Sequence, residues 1–357
     1  MSATKLFKSR ISPCALLAAF LTGCATTGPV KKAEPVFYPD PPAQPRVQYL
    51  TGITSETDLG RHRSKWIQFI VGDGPPADPL MKPYGLAVHG GKIFACDTVD
   101  RSIAIFDLAG KRMTRWVPRG EAKFQLPNDL DFAADGKAYI ADAGRGAVQV
   151  FDDARKKCGI IAEAGMKPAS VVASSQHIFV ADVGRHCVGV YDRSSLRKLF
   201  TIPREDDRPD ARLFTPTNLA LDREGQLYVS DTGAFHIQKY DRDGRWKQSF
   251  GSEGDAPGQF ARPKGVAVDR EGRVFAVDAA SQVVQVFAPD GRLLMYFGGP
   301  DANGHELSLP AGIAIDYDNI APFRSFIAPE FAVEFLVFVT SQYGDSKINV
   351  YGFGHMI

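Results

Sequence analysis

The sequence predicts an all-β fold, a six-bladed β-propeller with four-stranded blades, on three observations. Six segments share one pattern, and the prolines that begin them are 41 to 48 residues apart. Within each segment apolar and polar residues alternate, as they do in half-buried β-strands. The last segment lacks its fourth strand, and an N-terminal segment is similar to the strand that is missing. A period of about 40–50 residues is typical of propeller blades.

The six repeats each begin with a proline followed by alternating apolar residues. These prolines are Pro83, Pro127, Pro168, Pro216, Pro263 and Pro310. In the fifth repeat the four predicted strands cover residues 265–269, 273–278, 282–288 and 292–297. Asp290-Gly291 separates the last two and indicates a hairpin, because glycine tolerates a positive φ.

The repeats resemble the NHL family. The fifth repeat reads PKGVAVD, then GRVFAVD, then VVQVF. NHL units follow P-x-G-[IV]-A-V-D, G-x-[LV]-Y-V-[AT]-D and V-Q-[VK]-[FY]. The resemblance covers residues 46–357 and is most specific in the second, fourth and fifth repeats. WD40 repeats are the nearest competitor, but their paired Gly-His and Trp-Asp signals are missing.

The N-terminal segment is expected to close the ring. The sixth repeat ends after its third strand, at Tyr351-Gly352-Phe353-Gly354. Residues 46–52 (RVQYLTG) are similar to the fourth strand of the fifth repeat, residues 292–298 (RLLMYFG). We therefore expect residues 46–52 to complete the last blade, which removes an exposed sheet edge.

Residues 1–23 have the pattern of a secretory signal peptide. Lys5, Lys8 and Arg10 precede a mostly apolar stretch over residues 11–22, which is too short to span a bilayer. Leu21-Thr22-Gly23-Cys24 resembles the lipobox, whose cysteine is acylated and becomes the new N-terminus. The resemblance implies that lipid on Cys24, palmitate included, anchors the protein to a membrane. An ordinary signal peptide with an incidental cysteine is the alternative.

The residues after Cys24 indicate where in the cell the protein is expected to lie. Ala25 stands where an aspartate would resemble an inner-membrane retention signal, so we expect a cell-envelope protein at the outer membrane, facing the periplasm. Residues 24–45 are rich in proline and are expected to form a stiff, unfolded tether. The propeller is expected to cover residues 46–357.

Two segments interrupt the repeats. Residues 54–80 precede the first blade and are expected to form a short helix or a loop. Residues 319–335 separate the first two strands of the sixth blade and contain several phenylalanines. A loop packed on the ring and a lid or partner contact are equally supported by this sequence.

The net charge and the cysteines bear on the partners and the disulfides that the sequence predicts. The net charge of +1 gives no overall basic field for nucleic acid, and we expect no such partner. Cys96, Cys158 and Cys187 lie in strand-like runs and are expected to be buried apolar residues. The sequence leaves open whether two of the three form a disulfide.

An aspartate ends the second strand in five repeats. These residues are Asp97, Asp142, Asp182, Asp231 and Asp278, and the sixth repeat has Ser341. Such an aspartate satisfies backbone N–H groups of the following turn. Because the blades separate the five carboxylates around the ring, a shared metal ion is disfavoured, and we expect structural latches.

A ligand site is expected at one mouth of the central channel. The loops that enter the innermost strands supply the candidates Tyr84, Asn128, Asp129, Thr217, Asn218 and Lys264. The loops between the second and third strands supply Arg101, Arg145, Arg185, His186 and His236. The arginines would bind a carboxylate, phosphate or sugar-acid group. The favoured alternative is that each arginine pairs with an aspartate of a neighbouring blade.

The sequence contains no HExxH, G-x-S-x-G or phosphate-loop motif, and we assign no catalytic residues and no metal. We predict a binding or scaffold module for a protein, peptide or glycan of the cell envelope, or a structural role in an envelope complex. The alternative is a calcium-dependent hydrolase or lyase with Asn128, Asp129 and Asn218 as oxygen ligands. Related propellers of peptide-amidating lyases and strictosidine-synthase-like hydrolases hold a metal at the channel mouth.

Overall fold

Each repeat of the sequence folds into one blade, and its proline is the first residue of the innermost strand. The structure, a computed structural model, describes residues 34–40, 42–60, 78–205, 207–300 and 305–357. Within Pro35–Ile357, six antiparallel sheets surround a central channel. The predicted six-bladed β-propeller is confirmed.

The first four blades each contain four strands in chain order from the channel outward. Blade 1 consists of β3 (Pro83–His89), β4 (Lys92–Asp97), β5 (Ser102–Asp107) and β6 (Arg112–Trp116). Blade 2 consists of β7 (Pro127–Phe132), β8 (Ala138–Asp142), β9 (Ala147–Phe151) and β10 (Lys157–Ala162). Blade 3 consists of β11 (Pro168–Ala173), β12 (His177–Asp182), β13 (Cys187–Asp192) and β14 (Lys198–Ile202). Blade 4 consists of β15 (Pro216–Leu221), β16 (Leu227–Asp231), β17 (His236–Tyr240) and β18 (Trp246–Phe250).

The last two blades differ in how they are completed. Blade 5 consists of β19 (Pro263–Val268), β20 (Val274–Asp278), β21 (Val283–Phe287) and β22 (Leu293–Gly298). Blade 6 combines β23 (Pro310–Asp316), β24 (Phe331–Ser341) and β25 (Ile348–Met356) with the N-terminal β2 (Val47–Ile53) and β1 (Phe37–Tyr38). Short 3-10 helices cover Glu56–Leu59, Gly120–Ala122, Pro209–Ala211 and Ala321–Phe326.

The hydrophobic core lies between neighbouring blades. Between blades 1 and 2, Phe94 and Ile105 belong to one cluster with Leu130 and Phe151. Because the middle strands are covered on both faces, β8 is buried along its whole length, whereas the outer strand β22 alternates half-buried and exposed residues over most of its length. Burying a phenylalanine stabilises a fold by about 1.5–3 kcal/mol, so the inter-blade clusters hold the ring together.

β2 closes the ring as predicted. It runs antiparallel to β25, with Val47 opposite Phe353 and Ile53 opposite Ile348. The rings of Tyr49 and Tyr351 meet edge to face with centroids 5.4 Å apart. Pairing of an N-terminal with a C-terminal strand leaves blade 6 complete and its third strand covered.

β1 differs from the prediction for residues 24–45. Phe37 pairs with Gln48 and Tyr38 with Val47, so the ring begins near residue 36 rather than at residue 46. The Phe37 ring also packs on Phe331 with centroids 5.4 Å apart. The sequence around β1 is proline-rich, and proline-rich composition is typical of an extended tether. The pairing depends on the free edge of β2, which that composition does not reveal.

The insert at residues 319–335 packs against the ring. Its 3-10 helix Ala321–Phe326 places Phe323 in the core, 3% exposed. Gln48 of β2 holds the insert on both sides: its Nε2 donates to the Phe326 carbonyl oxygen at 3.0 Å, and its Oε1 accepts from the Ala328 N–H at 3.1 Å. Of the two sequence alternatives, these contacts favour the packed loop.

The segment at residues 54–80 is described at its two ends. The short helix expected there is the 3-10 helix Glu56–Leu59, capped by Ser55. The Asp58 carboxylate accepts from the N–H groups of Thr54 at 2.7 Å and Ser55 at 2.8 Å. Residues 61–77, with Trp66, lie outside the described residues.

The three cysteines of the propeller are free. Cys96 is buried, as expected, and Cys187 is half-buried. Cys158 is exposed, which corrects the prediction for it. Its strand β10 is the outermost of blade 2, where alternate side chains face solvent.

Candidate functional site

The strand-end aspartates are latches, as predicted, and each reaches further than its own turn. The Asp278 carboxylate accepts from Ala280 N at 3.0 Å and Ser281 N at 3.3 Å in the following turn. It also accepts from Ala261 N at 2.8 Å and Arg262 N at 3.0 Å, in the loop that enters the innermost strand of the blade. The same double contact occurs at Asp97, Asp142, Asp182 and Asp231.

In blade 6, Ser341 replaces the latch aspartate and accepts from Ser308 N at 3.2 Å. The latched turns and loops lie on one side of the ring, which we call the upper face. The innermost strands begin at the upper face and end at the opposite side, the lower face.

Six equivalent positions, each two residues after the first proline of a blade, form a ring near the upper end of the channel. These are Gly85, Asp129, Ser170, Asn218, Gly265 and Gly312, and all six are buried. Blades 2, 3 and 4 supply the polar residues, and blades 5, 6 and 1 supply the glycines. This ring of six positions, which we call the upper ring, is therefore polar on one side and consists of glycine on the other.

On the glycine side of the upper ring, neighbouring backbones approach closely. A Cβ added at Gly312 would lie 2.5 Å from the Tyr84 carbonyl oxygen, and one added at Gly265 would lie 2.7 Å from that of Ala311. Real Cβ atoms do not come this close to backbone. The sequence therefore needs glycine at these positions for the blades to meet.

On the polar side, side chains bridge the blades. Ser170 Oγ donates to Asp129 Oδ2 at 2.5 Å and accepts from Leu219 N at 3.1 Å. Thr232 Oγ1 donates to the Pro263 carbonyl oxygen at 2.6 Å and so joins blade 4 to blade 5. Together with the glycine contacts, these bridges narrow the upper end of the channel.

Below the upper ring, the innermost strands enclose a cavity of about 370 Å³. The residues two and three positions after the blade prolines are buried, whereas those five positions after them, from Val88 to Ile315, are half-buried. The cavity therefore opens toward the lower face. The sequence predicted a site at the upper mouth, but Asp129 and Asn218 line the cavity from its narrow end.

The polar side chains among the described lining residues are Asp129, Asp131 and Asn218. Asp129 and Asp131 are two positions apart on β7, so their side chains leave the same side of the strand. Asp131 Oδ2 accepts from Ala173 N at 2.8 Å, and Asp129 Oδ2 accepts from Val171 N at 3.3 Å. Both carboxylates thereby cap the channel edge of the next blade.

Burial raises the pKa of Asp129 to about 7 and the pKa of Asp131 to about 6, because removing water disfavours the charged form. Within the described residues neither carboxylate forms an ion pair with a base. Asn218 is 5% exposed, and its Oδ1 has no hydrogen-bond partner in the described part of the chain. The cavity thus contains two carboxylates without a described base and one buried acceptor, Asn218 Oδ1, without a described donor.

Asp131 was missed at the sequence level, although the aligned repeats contain a signal for it. The equivalent positions four residues after the proline hold only alanine or valine: Ala87, Val172, Ala220, Ala267 and Ala314. The single carboxylate at a position that is otherwise small and apolar is the signal that could have identified Asp131.

Tyr84 and Lys264 come together above the cavity, with Lys264 Nζ 5.9 Å from the centroid of the Tyr84 ring. Burial and the charge of Arg262 lower the pKa of Lys264 to about 8. Burial and the charge of Asp129 raise the pKa of Tyr84 to about 12. Asn128 and Thr217, on the same rim, are not among the residues that line the cavity.

The predicted arginines do not converge on the cavity, and their pairing differs from the prediction. Arg185 Nε donates to Asp182 Oδ2 at 2.7 Å, and Arg145 Nε lies 3.9 Å from Asp142 Oδ2. Each aspartate belongs to the same blade as its arginine, because the two are three residues apart in one turn. Arg185 also pairs with Glu163, beyond the last strand of blade 2. Arg101 is exposed and forms no ion pair with a described residue.

The two candidate histidines also lie away from the cavity. His236 Nε2 is 3.0 Å from Gln238 Nε2, and burial lowers the pKa of His236. His186 Nδ1 contacts the Phe214 carbonyl oxygen. Neither is among the described residues that line the channel.

The donor side chains near the cavity bear on whether it could hold a metal ion. Within the described ranges, no group of three or more His, Cys, Asp or Glu side chains is placed to hold a metal ion. Of the predicted calcium ligands, Asp129 and Asn218 line the cavity and Asn128 does not. Since calcium takes six to eight oxygens, an ion there would need most of its ligands from backbone, water or substrate.

The predicted lipidation site, Cys24, lies outside the described residues and stays a prediction. Among the residues that are described, no helix has the length and apolar character needed to cross a bilayer.

No protein-family model matches the chain. A relative is the NHL repeat-containing protein 3 of Homo sapiens, which is 27% identical over 139 residues. The match covers 37% of this chain and 40% of that protein, so the chain spans less than half the length of the relative. This similarity supports the NHL-type repeat.

Solved structures share the propeller. A gluconolactonase from Xanthomonas campestris aligns with a TM-score of 0.56 at 17% identity, over 90% of this chain and 98% of that one. A catalytically inactive virginiamycin B lyase from Staphylococcus aureus aligns with a TM-score of 0.53 at 13% identity, over 77% and 96%. Regucalcin from Agrobacterium tumefaciens, a calcium-binding protein, aligns with a TM-score of 0.50 at 15% identity, over 78% and 92%. At these identities the likeness shows the fold alone.

Proposed function

We propose that the protein is a lipid-anchored binding module of the cell envelope, whose upper face receives a partner protein or peptide. One observation carries the proposal: large apolar side chains on the upper face are exposed to solvent. These are Met81, Val99, Leu126, Phe214 and Tyr343, which are 38% to 57% exposed. Contiguous exposed apolar surface marks an interaction site, and all five side chains lie in turns or loops of this face.

Basic side chains lie among these apolar residues. Arg101, Lys167 and Arg262 are exposed on the same face, and Lys82 Nζ lies 5.1 Å from the centroid of the Tyr343 ring. The latch aspartates of this face are buried. Aromatic residues, methionine and arginine are enriched at protein interfaces, so a partner with apolar anchors and acidic groups fits this surface.

The proposed lipid anchor is inferred from the leader sequence, residues 1–23, and from Cys24. If lipid is attached at Cys24, the chain from there to Val36 spans at most roughly 40 Å when fully extended, which would keep the ring close to the membrane. Cys24→Ser is expected to move the protein from the membrane to the soluble fraction, whereas Cys14→Ser, within the leader, is the matched control. Unchanged fractionation of Cys24→Ser would refute the anchor.

The binding surface is tested by a photo-crosslinking amino acid placed in the full chain in cells. Positions 126 and 214 on the upper face are compared with position 326 on the insert, where Phe326 is 41% exposed. The proposal predicts an adduct of the same mass from both upper positions and none from position 326. Equal crosslinking at all three positions, or none at the upper two, contradicts it.

A second candidate is a calcium-dependent hydrolase or lyase acting in the channel. The observation in its favour is that Asp129 and Asn218 line one cavity beside Asp131, and carboxyl groups with pKa values near neutrality suit proton transfer. Calcium bound to the purified protein, and lost in Asp129→Asn and Asn218→Ala variants, would support this candidate. A purified protein that binds no calcium, or one whose calcium content is unchanged in both variants, would contradict it.

A further inference from the structure

The channel wall has an uneven distribution of hydrogen-bonding groups. Its cavity of about 370 Å³ falls within the range of small-molecule sites, about 300–1,000 Å³. Most of its lining side chains are apolar, from Leu130 and Val171 on one side to Val266 and Ile313 on the other, although the exposed surface of the lining is more polar than apolar. The exceptions among the described lining residues are Asp129, Asp131 and Asn218.

The three polar groups differ in how far the fold satisfies them. Each carboxylate has hydrogen bonds at Oδ2, from Ser170 and Val171 to Asp129 and from Ala173 to Asp131. No described base pairs with either carboxylate. Asn218 Oδ1, in a side chain 95% buried, has no described partner. A buried acceptor without a donor is rare in folded proteins, and carboxylates removed from water are costly unless a cation pairs with them. Together, the two carboxylates without a base and the unsatisfied Asn218 Oδ1 indicate a cationic ligand that brings N–H donors.

The direction of access limits the ligand further. The upper end is narrowed by the buried ring and flanked by Lys264 and Arg262, whose charges disfavour a cation there. The lower end widens past half-buried Val88, Val268 and Ile315. A ligand that enters from the lower face therefore passes apolar walls before its leading group reaches the carboxylates.

We propose that this channel binds a small molecule with a primary ammonium group on an apolar stem, with Asp131 as its charge partner and Asp129 and Asn218 as further acceptors. An ammonium carries three N–H donors and no acceptor, which matches three acceptors around one cavity. The stem lies along the apolar side chains of the wall. A calcium ion fits less well, because it takes six to eight oxygens. This inference does not depend on the proposed partner of the upper face.

The test is isothermal titration of the full-length protein with n-butylammonium chloride at pH 7.5. The probe is compared with n-butanol, which keeps the stem but lacks the charge, and with tetramethylammonium, which keeps the charge but has no N–H donor. Saturable one-to-one binding of butylammonium, at least tenfold tighter than either comparison ligand, is expected. Equal binding of butanol or tetramethylammonium, or no binding of butylammonium, overturns the proposal.

Two variants locate the site. Asp131→Asn keeps an acceptor for Ala173 N but removes the charge, and is expected to weaken butylammonium binding at least tenfold. Asp290→Asn, at an exposed turn of blade 5, is the matched control and should change binding less than twofold. Ala314→Leu fills the cavity without touching an acid, and should also weaken binding at least tenfold, so the test survives if Asp131→Asn misfolds. Binding within twofold of wild type in a folded Asp131→Asn or Ala314→Leu protein, or displacement of butylammonium by equimolar calcium, overturns the proposal.

Discussion

Replacing the latch Asp278 with alanine leaves four backbone N–H groups without their acceptor. These are the N–H groups of Ala261, Arg262, Ala280 and Ser281, held at 2.8 to 3.3 Å. A hydrogen bond to a charged acceptor contributes about 1.5–3 kcal/mol, but N–H groups near the surface regain water when the carboxylate is lost. We therefore expect the free energy of unfolding to fall by about 3–5 kcal/mol, at the upper end of single substitutions.

The assay is urea unfolding of the full chain, followed by tryptophan fluorescence. Asp278→Asn keeps one acceptor oxygen and is expected to lose about half as much stability, roughly 2 kcal/mol. Asp290→Ala is the matched control, because that exposed aspartate accepts from one N–H, that of Arg292 at 3.1 Å, and should cost under about 1 kcal/mol. If Asp278→Ala and Asp290→Ala lose the same stability, the carboxylate at the end of β20 does not act as a latch.

Three further outcomes follow from the geometry. Between the ordinary pKa of 3.8 and the raised pKa of about 6, folded Asp131 binds protons that the unfolded chain has released, so this group lowers the free energy of unfolding as pH rises. Asp131→Asn is therefore expected to gain up to about 3 kcal/mol over wild type between pH 4 and pH 7.5, measured by urea unfolding; a difference independent of pH would contradict a half-buried carboxyl group without a base. Gly312→Ala should lose about 1–3 kcal/mol in the same assay, because its Cβ would lie 2.5 Å from the Tyr84 carbonyl oxygen; wild-type stability would show that blades 6 and 1 do not meet there. A thiol reagent should modify Cys158 first and leave buried Cys96 unmodified until unfolding, as peptide mass spectrometry will show; equal rates would contradict the assigned exposures.

The sequence was sufficient for the blades because the features that define them are local and repeated. The prolines that begin the innermost strands, the latch aspartates and the Asp-Gly turns recur in register, so one repeat supports the interpretation of the next. Closure by β2 was also predictable, since residues 46–52 carry the pattern of the missing strand. β1 was not, because its two residues pair only where β2 offers a free edge.

The candidate site was predictable in part. Asp129 and Asn218 were identified from their place near the start of an innermost strand. Which end of the channel is open was not, because it depends on contacts between blades, such as Gly312 against Tyr84 and Ser170 against Asp129. These contacts join residues far apart in sequence. Asp131 was within reach of an alignment of the repeats, where it stands among alanines and valine.

The most direct measurement is a carbon-13 NMR titration of the aspartate carboxyl groups, with the Asp131 signal assigned by its loss in Asp131→Asn. We expect Asp131 to titrate with a pKa of about 6 and Asp129 with a pKa of about 7, and saturating butylammonium to move the Asp131 midpoint to lower pH. If both carboxyl groups titrate near 3.8 and butylammonium shifts neither midpoint, the two carboxylates are not shielded from water and the channel does not bind an ammonium group there.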